Sequence, residues 1–197
     1  MDKATENIIW QYSPGGVLEN WESLRNEEET QALSEFIKRL SLPLSGENKI
    51  RILSPSANKA GFERRLAECL GAPYQLVCGD ISLVKPVDKE TFIHLDARKV
   101  PFADKSFSLI CDFLGAAYYD PEALKEYFRL LVPGGGVILD YFTYTSPRTD
   151  EVLKSMEDCF SEPERFSLSD QCEVYFVRRK EEIMSLSLGI ELTQPHS

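Results

Sequence analysis

Apolar positions along this chain fall into short runs that alternate with helical stripes. Ile50-Arg51-Ile52-Leu53 is a short strand. Phe62, Leu66, Cys69 and Leu70 then share one face of a predicted helix over Phe62 to Leu70. Gly71 lies just past its end, where a left-handed residue is commonly needed. Tyr74 to Cys78 reads as a second strand and Thr91 to Leu95 as a third. Phe107 to Phe113 is apolar enough for a strand buried on both faces. Pro121 to Leu131 is a predicted helix with proline in its first turn. Pro133-Gly134-Gly135 is expected to break it, with a fifth strand over Gly136 to Phe142 and a further helix over Asp150 to Phe160. Cys172 to Arg179 is rich in β-formers. Met184, Leu186, Leu188, Ile190 and Leu192 then alternate with Ser185, Ser187, Gly189 and Glu191, the period of a half-buried strand. The short charged link between these last two segments predicts an antiparallel hairpin. Ahead of this alternation, Leu33, Phe36, Ile37 and Leu40 mark one face of a helix over Glu28 to Leu40.

Alternating strands and helices imply an α/β fold whose mostly parallel sheet is covered on both faces. Ligands of such sheets bind outside the carboxyl ends of the strands, near the point where strand order reverses. The expected organisation is a helical N-terminal cap over residues 1–45, an α/β domain over 46–193 and a loose tail over 194–197.

Composition narrows the partners. Hydrophobic residues make up 43% and charged residues 27%, so a real core is expected. The net charge is -10, from 32 Asp+Glu against 22 Lys+Arg. The densest basic cluster, Arg178-Arg179-Lys180, runs at once into Glu181-Glu182. That argues against a nucleic-acid partner, which Lys/Arg stripes would hold. No run approaches the roughly 20 apolar residues of a membrane span, so no membrane partner is expected. Cys69, Cys78, Cys111, Cys159 and Cys172 are odd in number and widely spaced, with no C-x-x-C pair. The expectation is reduced thiols in a cytoplasmic protein without a metal site.

Two blocks carry a family resemblance. Asp96-Ala97-Arg98-Lys99-Val100-Pro101-Phe102-Ala103-Asp104-Lys105-Ser106-Phe107 resembles the "D-A-x-x-L-P-F-x-D-x-S-F-D" block of class I S-adenosylmethionine-dependent methyltransferases. Leu124 to Gly135, ending Phe128-Arg129-Leu130-Leu131-Val132-Pro133-Gly134-Gly135, is similar to their "E-x-x-R-V-L-K-P-G-G" block. The resemblance covers about residues 48 to 180 and implies a Rossmann-like, seven-stranded sheet closed by an antiparallel hairpin. It also implies S-adenosylmethionine as the cofactor.

The family's cofactor loop follows the first strand and reads roughly "h-h-D-x-G-x-G-x-G". Here Ser54 stands for the acid, and Ser56, Asn58 and Ala60 stand for the three glycines. Glycine there permits positive φ and close backbone approach. Each added Cβ narrows that approach, and Pro55 removes a donor. By the resemblance, Ser54, Ser56 and Asn58 line the cofactor loop. Asp80, with Ile81 beside it, is implied to accept hydrogen bonds from ribose hydroxyls. Asp96, with Ala97, is implied to lie near the adenine amino group. Asp112, Tyr118, Tyr119 and Asp140 are candidates for an acceptor pocket. Ser108 replaces an expected Asp, and Ala117 and Tyr118 stand where many relatives carry histidines.

Two functions follow from these readings. One is a methyltransferase acting on a small-molecule or protein acceptor. The other is a catalytically silent relative with weakened cofactor binding, serving as a binding or scaffold module. No G-x-G-x-x-G follows any strand, which weighs against a dinucleotide oxidoreductase. The N-terminal segment, with Trp10, Tyr12 and Trp21, fits either a lid over the pocket or a homodimer face.

Overall fold

The computed structural model describes residues 26–45, 48–57, 60–81, 92–113, 117, 120, 122–142, 149–169 and 172–180. Among them, strands β1 (Ile50–Ser54), β2 (Tyr74–Asp80), β3 (Phe92–His94), β4 (Phe107–Phe113), β5 (Leu131–Phe142), β6 (Glu164–Ser169) and β7 (Cys172–Arg178) form a sheet ordered β3-β2-β1-β4-β5-β7-β6. β1 to β5 pair in parallel. β7 runs antiparallel to both β5 and β6. Strand order therefore reverses between β1 and β4. The helices are α1 (Glu27–Arg39), α2 (Gly61–Leu70), α3 (Glu122–Leu130) and α4 (Thr149–Met156).

Alternate residues of a strand point to opposite faces, and each face has its own core. Ile50, Ile52, Leu109, Cys111, Phe113 and Phe176 pack under Leu33, Phe36 and Ile37 of α1 and Phe62 and Leu66 of α2. Leu53, Ile110, Val137 and Leu139 pack under Leu124 and Tyr127 of α3 and Val152 and Met156 of α4. This is the covered parallel sheet that the alternation predicts. α1 starts with a capping box: Asn26 Oδ1 accepts from the Glu29 amide at 2.8 Å, and Glu29 Oε2 accepts from the Asn26 amide at 3.3 Å. Its Phe36 ring stacks on Phe166 of β6 at 4.7 Å. Gly71 closes α2 at φ +67°, as its place past the helix end predicts.

Three expectations need correction. The hairpin partner of residues 172–179 is β6, not the segment 184–192, because β5 and β6 occupy both edges of β7. Residues 184–192 lie outside the described residues. Pro133-Gly134-Gly135 does not break the helix, which ends already at Leu130. β5 runs through it, and the pairing jumps from Phe107↔Leu131 to Leu109↔Gly136. The three extra residues are taken up by a bulge with Gly134 at φ +76°. A Cβ on Gly136 would lie 2.4 Å from the Phe176 ring and 2.6 Å from the Val177 carbonyl. The tripeptide thus sets the register of β5 and its close contact with β7. Finally, α4 ends at Met156, four residues before the expected end at Phe160.

Candidate functional site

The carboxyl ends of β1, β2 and β3 lie side by side. Ser54 pairs with Cys78 of β2, and Asp80 pairs with His94 of β3. The turn after β1 is tied to β2, because the Ala57 amide donates to the Gly79 carbonyl at 2.9 Å. The turn after β3 is tied to β2 as well, because the Leu95 amide donates to the Asp80 carbonyl at 3.0 Å. So Ser54, Ser56, Asp80, Ile81, Asp96 and Ala97 all gather at one rim beside the switch point. Asn58, Tyr118 and Tyr119 lie outside the described residues. Asp140 falls near the end of β5, and its side chain is likewise not described.

The loop after β1 is tied to α2 by a buried hydroxyl–carboxylate contact. Ser54 Oγ donates to Glu63 Oε1 at 3.0 Å, and both residues are buried. Glu63 sits in the first turn of α2, where a carboxylate also complements the helix dipole. Sequence reading missed it. The available signal was an acid three positions into the helix that follows the loop.

Ala60 shows what the lost glycine did. It precedes α2 at φ +62°, ψ +20°, a left-handed conformation, and has no side-chain cap. The backbone still demands the geometry that glycine supplies without cost. A left-handed alanine costs roughly 1–2 kcal/mol. Ala60→Gly is therefore expected to raise the unfolding free energy by about 0.5–1 kcal/mol, after glycine's larger unfolded-state entropy is subtracted. Urea denaturation of the two proteins checks the sign.

The turn after β3 is held by charge. Asp96 and Lys99 form an antiparallel bridge, with the Lys99 amide donating to the Asp96 carbonyl at 2.9 Å. The Arg98 guanidinium bonded to Asp96 holds its carboxyl below the usual carboxylate range. Ala97 is buried behind it. His94 is exposed, and its Nε2 lies 2.8 Å from the Ile81 carbonyl.

The two sequence blocks meet in a single clamp. Glu126 Oε1 accepts from the Val100 amide at 2.8 Å. Arg129 donates to the carbonyls of Phe102 at 2.9 Å and Val100 at 3.1 Å, and to Asp104 Oδ1 at 2.6 Å. It also pairs with Glu126 at 2.7 Å. So α3 grips residues 100–104, directly below the Asp96 turn.

Asp112, a candidate for an acceptor pocket, lies in β4. Its residue is 2% exposed, and Oδ2 accepts from the Ala117 amide at 2.8 Å, pinning the turn after β4. The Tyr127 hydroxyl is fully buried near this carboxylate. Burial first, and then the Asp112 charge, push that phenol well above its ordinary range, so it stays protonated. Among the described residues no three His, Cys, Asp or Glu side chains are grouped to hold a metal ion. Nor is any described helix long and apolar enough to cross a membrane.

This rim and strand order define a class I methyltransferase fold. Residues 59–139 match the family model described as "Methyltransferase domain". It is 27% identical over 135 residues to the ubiquinone/menaquinone biosynthesis C-methyltransferase UbiE of Ectopseudomonas mendocina, covering 61% of this chain and 53% of that protein. The matched stretch thus spans about half the length of that curated relative. Among solved structures, a SAM-dependent methyltransferase from Aquifex aeolicus matches with TM-score 0.59 at 12% identity, over 80% of this chain and 96% of that one. Burkholderia thailandensis 1,6-didemethyltoxoflavin-N1-methyltransferase, solved with 1,6-didemethyltoxoflavin and S-adenosylhomocysteine bound, matches with TM-score 0.59 at 13% identity. That match covers 90% of this chain and 88% of that one.

Proposed function

We propose that this chain binds S-adenosylmethionine at the carboxyl ends of β1 to β3 and directs its methyl group to a small-molecule acceptor. The observation that carries the reading is the gathering of Asp80 and Asp96 on one rim at the switch point of a methyltransferase domain. The residues there suit the ligand's chemistry. Both carboxylates are only partly buried, and each accepts hydrogen bonds only, matching the hydroxyl and amino donors of an adenosine. The bound cofactor supplies a methyl group on a cationic sulfur. The protein's part is to position: Asp80 and Asp96 hold the nucleoside end, and Asp112, which binds the Ala117 amide, stands on the acceptor side. In-line approach of the acceptor supplies most of the rate, so no dedicated base is needed unless the acceptor loses a proton. The net charge of -10 favours a small-molecule or protein acceptor over a nucleic acid.

Isothermal titration with S-adenosylmethionine and S-adenosylhomocysteine tests this reading. Heat of binding at millimolar ligand is expected, and its absence from folded protein overturns the proposal. Asp80→Ala is expected to weaken S-adenosylhomocysteine binding by roughly 1–3 kcal/mol, the cost of leaving buried donors unpaired. An unchanged affinity would make Asp80 a turn cap only.

A further inference from the structure

At the amino ends of the strands, opposite the Asp80 rim, an apolar surface stands uncovered by the described residues. Leu44 is 54% exposed, the one large apolar side chain so exposed among them. Ser45, the next residue, pairs with Lys49: its amide donates to the Lys49 carbonyl at 2.9 Å, and the Lys49 amide donates back at 3.4 Å. Lys49 in turn lines a cleft of about 450 Å³, walled by Ala72, Pro73 and Tyr74 where β2 begins.

Positive charge gathers at the same end. Arg51 Nη1 donates to the Ser106 carbonyl just ahead of β4 at 3.2 Å, and Lys38 Nζ donates to the Cys69 carbonyl near the end of α2 at 2.7 Å. Arg178 Nη2 donates to the Leu40 carbonyl at 2.6 Å, and Lys180 Nζ binds the Glu157 carbonyl. Neutral carbonyls satisfy these N–H groups but leave their charge in place. A segment suited to this end is therefore apolar on one side and carries acids.

The chain supplies such a segment. Lys180 follows β7 at this end, because Arg178 pairs with Gly136, which sits opposite Leu109 near the start of β4. Glu181 and Glu182 come next, and Met184, Leu186, Leu188, Ile190 and Leu192 then alternate with Ser185, Ser187, Gly189 and Glu191. From β7 to β2 the sheet steps across β5, β4 and β1, a distance of about 19 Å. Residues 181–186 span at most about 20 Å when extended, and 181–188 about 26 Å. Leu186 thus just reaches the cleft, and Leu188 reaches it with slack. Residues 1–25 depart from the other end of the molecule. The Arg178–Leu40 contact puts the end of α1 at the amino ends of the strands, and the length of α1 carries its start about 20 Å away.

We propose that residues 184–190 dock along the amino ends of the strands, setting Leu186 and Leu188 against Leu44 and the Tyr74 cleft while Glu181 and Glu182 lie over the basic end. The surface opposite the cofactor rim is then a seat for the chain's own segment, and a second copy finds it closed.

A double-mutant cycle on the full chain tests this, with Leu44→Asp, Leu188→Asp and the pair unfolded in urea. Leu44 is exposed among the described residues, and Leu188 lies outside them, so neither substitution disturbs the sheet itself. Each is expected to lower the folded-to-unfolded ratio about tenfold, and the pair about tenfold as well, because either change alone releases the segment. Chymotrypsin cleavage after Leu186 and Leu188 is expected to quicken about tenfold in Leu44→Asp relative to wild type, as a docked segment becomes accessible. A pair that loses about a hundredfold shows two independent effects and overturns the proposal. So does a Leu44→Asp protein cleaved at the wild-type rate, which places the segment elsewhere, as along the outer edge of β6. Protection from cleavage that rises with protein concentration overturns it in favour of a second copy.

Discussion

Phe107→Ala is expected to lower the unfolding free energy by about 3–5 kcal/mol, the usual cost of truncating a fully buried phenylalanine. The ring is wholly inaccessible to solvent at the start of β4. It meets Phe102 edge to face at 5.0 Å, and the Arg51 guanidinium lies 4.8 Å above it. Alanine leaves a void bounded by a strand pairing and an aromatic neighbour, neither free to collapse. Phe107 also pairs with Leu131 just before the β5 bulge. Loss of the side chain should therefore loosen the strand pair that seats the turn after β4. Urea denaturation monitored by circular dichroism measures the effect as a lower midpoint at unchanged slope. A loss under 1 kcal/mol would contradict the packing described, since even conservative truncations of buried residues cost about that much.

Arg129→Ala is expected to cost about 2–3 kcal/mol at neutral pH, less than a fully buried pair because the guanidinium is partly exposed. The variant strands the carbonyls of Val100 and Phe102 and the mostly buried carboxylate of Glu126. Hydrogen bonding from Arg129 holds the Glu126 carboxyl below its usual range. A carboxylate with a depressed folded-state pKa contributes stability above its unfolded pKa and loses it as pH falls through the folded value. The deficit of Arg129→Ala should thus be full above about pH 5.5 and narrow as pH falls through the depressed folded-state value of the glutamate. Thermal melts across that range test the trend. A deficit that is flat with pH would show that the carbonyl contacts, not the ion pair, dominate.

These two residues also show what the sequence revealed. Phe107 and Arg129 sit in the two recognisable blocks, and the structure joins those blocks: α3 grips the segment below the β3 turn. The central strands β1 and β4 are legible because each is a short apolar run that is largely buried on both faces. β6 is not, because an edge strand needs only one apolar face, and here Phe166 and Leu168 supply it. By pattern alone, the period-two alternation of 184–192 outweighs the two apolar residues in six that β6 carries. The rim was legible as a place, through Asp80 and Asp96. Its internal chemistry was not. Glu63 lies nine residues from the serine it bonds, and Arg98 stands at a position with no motif. Ala60 looked like a lost glycine, yet the backbone kept the glycine's conformation. Substitution patterns report side chains removed, not the dihedral angles that a fold continues to impose.

The strand order has one more consequence. Among the described residues, with β7 enclosed between β5 and β6, the two outer strands are β3 and β6. β3 contributes three residues, and β6 carries Glu164 and Arg165 and a register slip between Ser167 and Ser169. A strand from another molecule seeking backbone partners would find one template too short and the other charged and irregular, the features by which sheet proteins resist edge-to-edge aggregation.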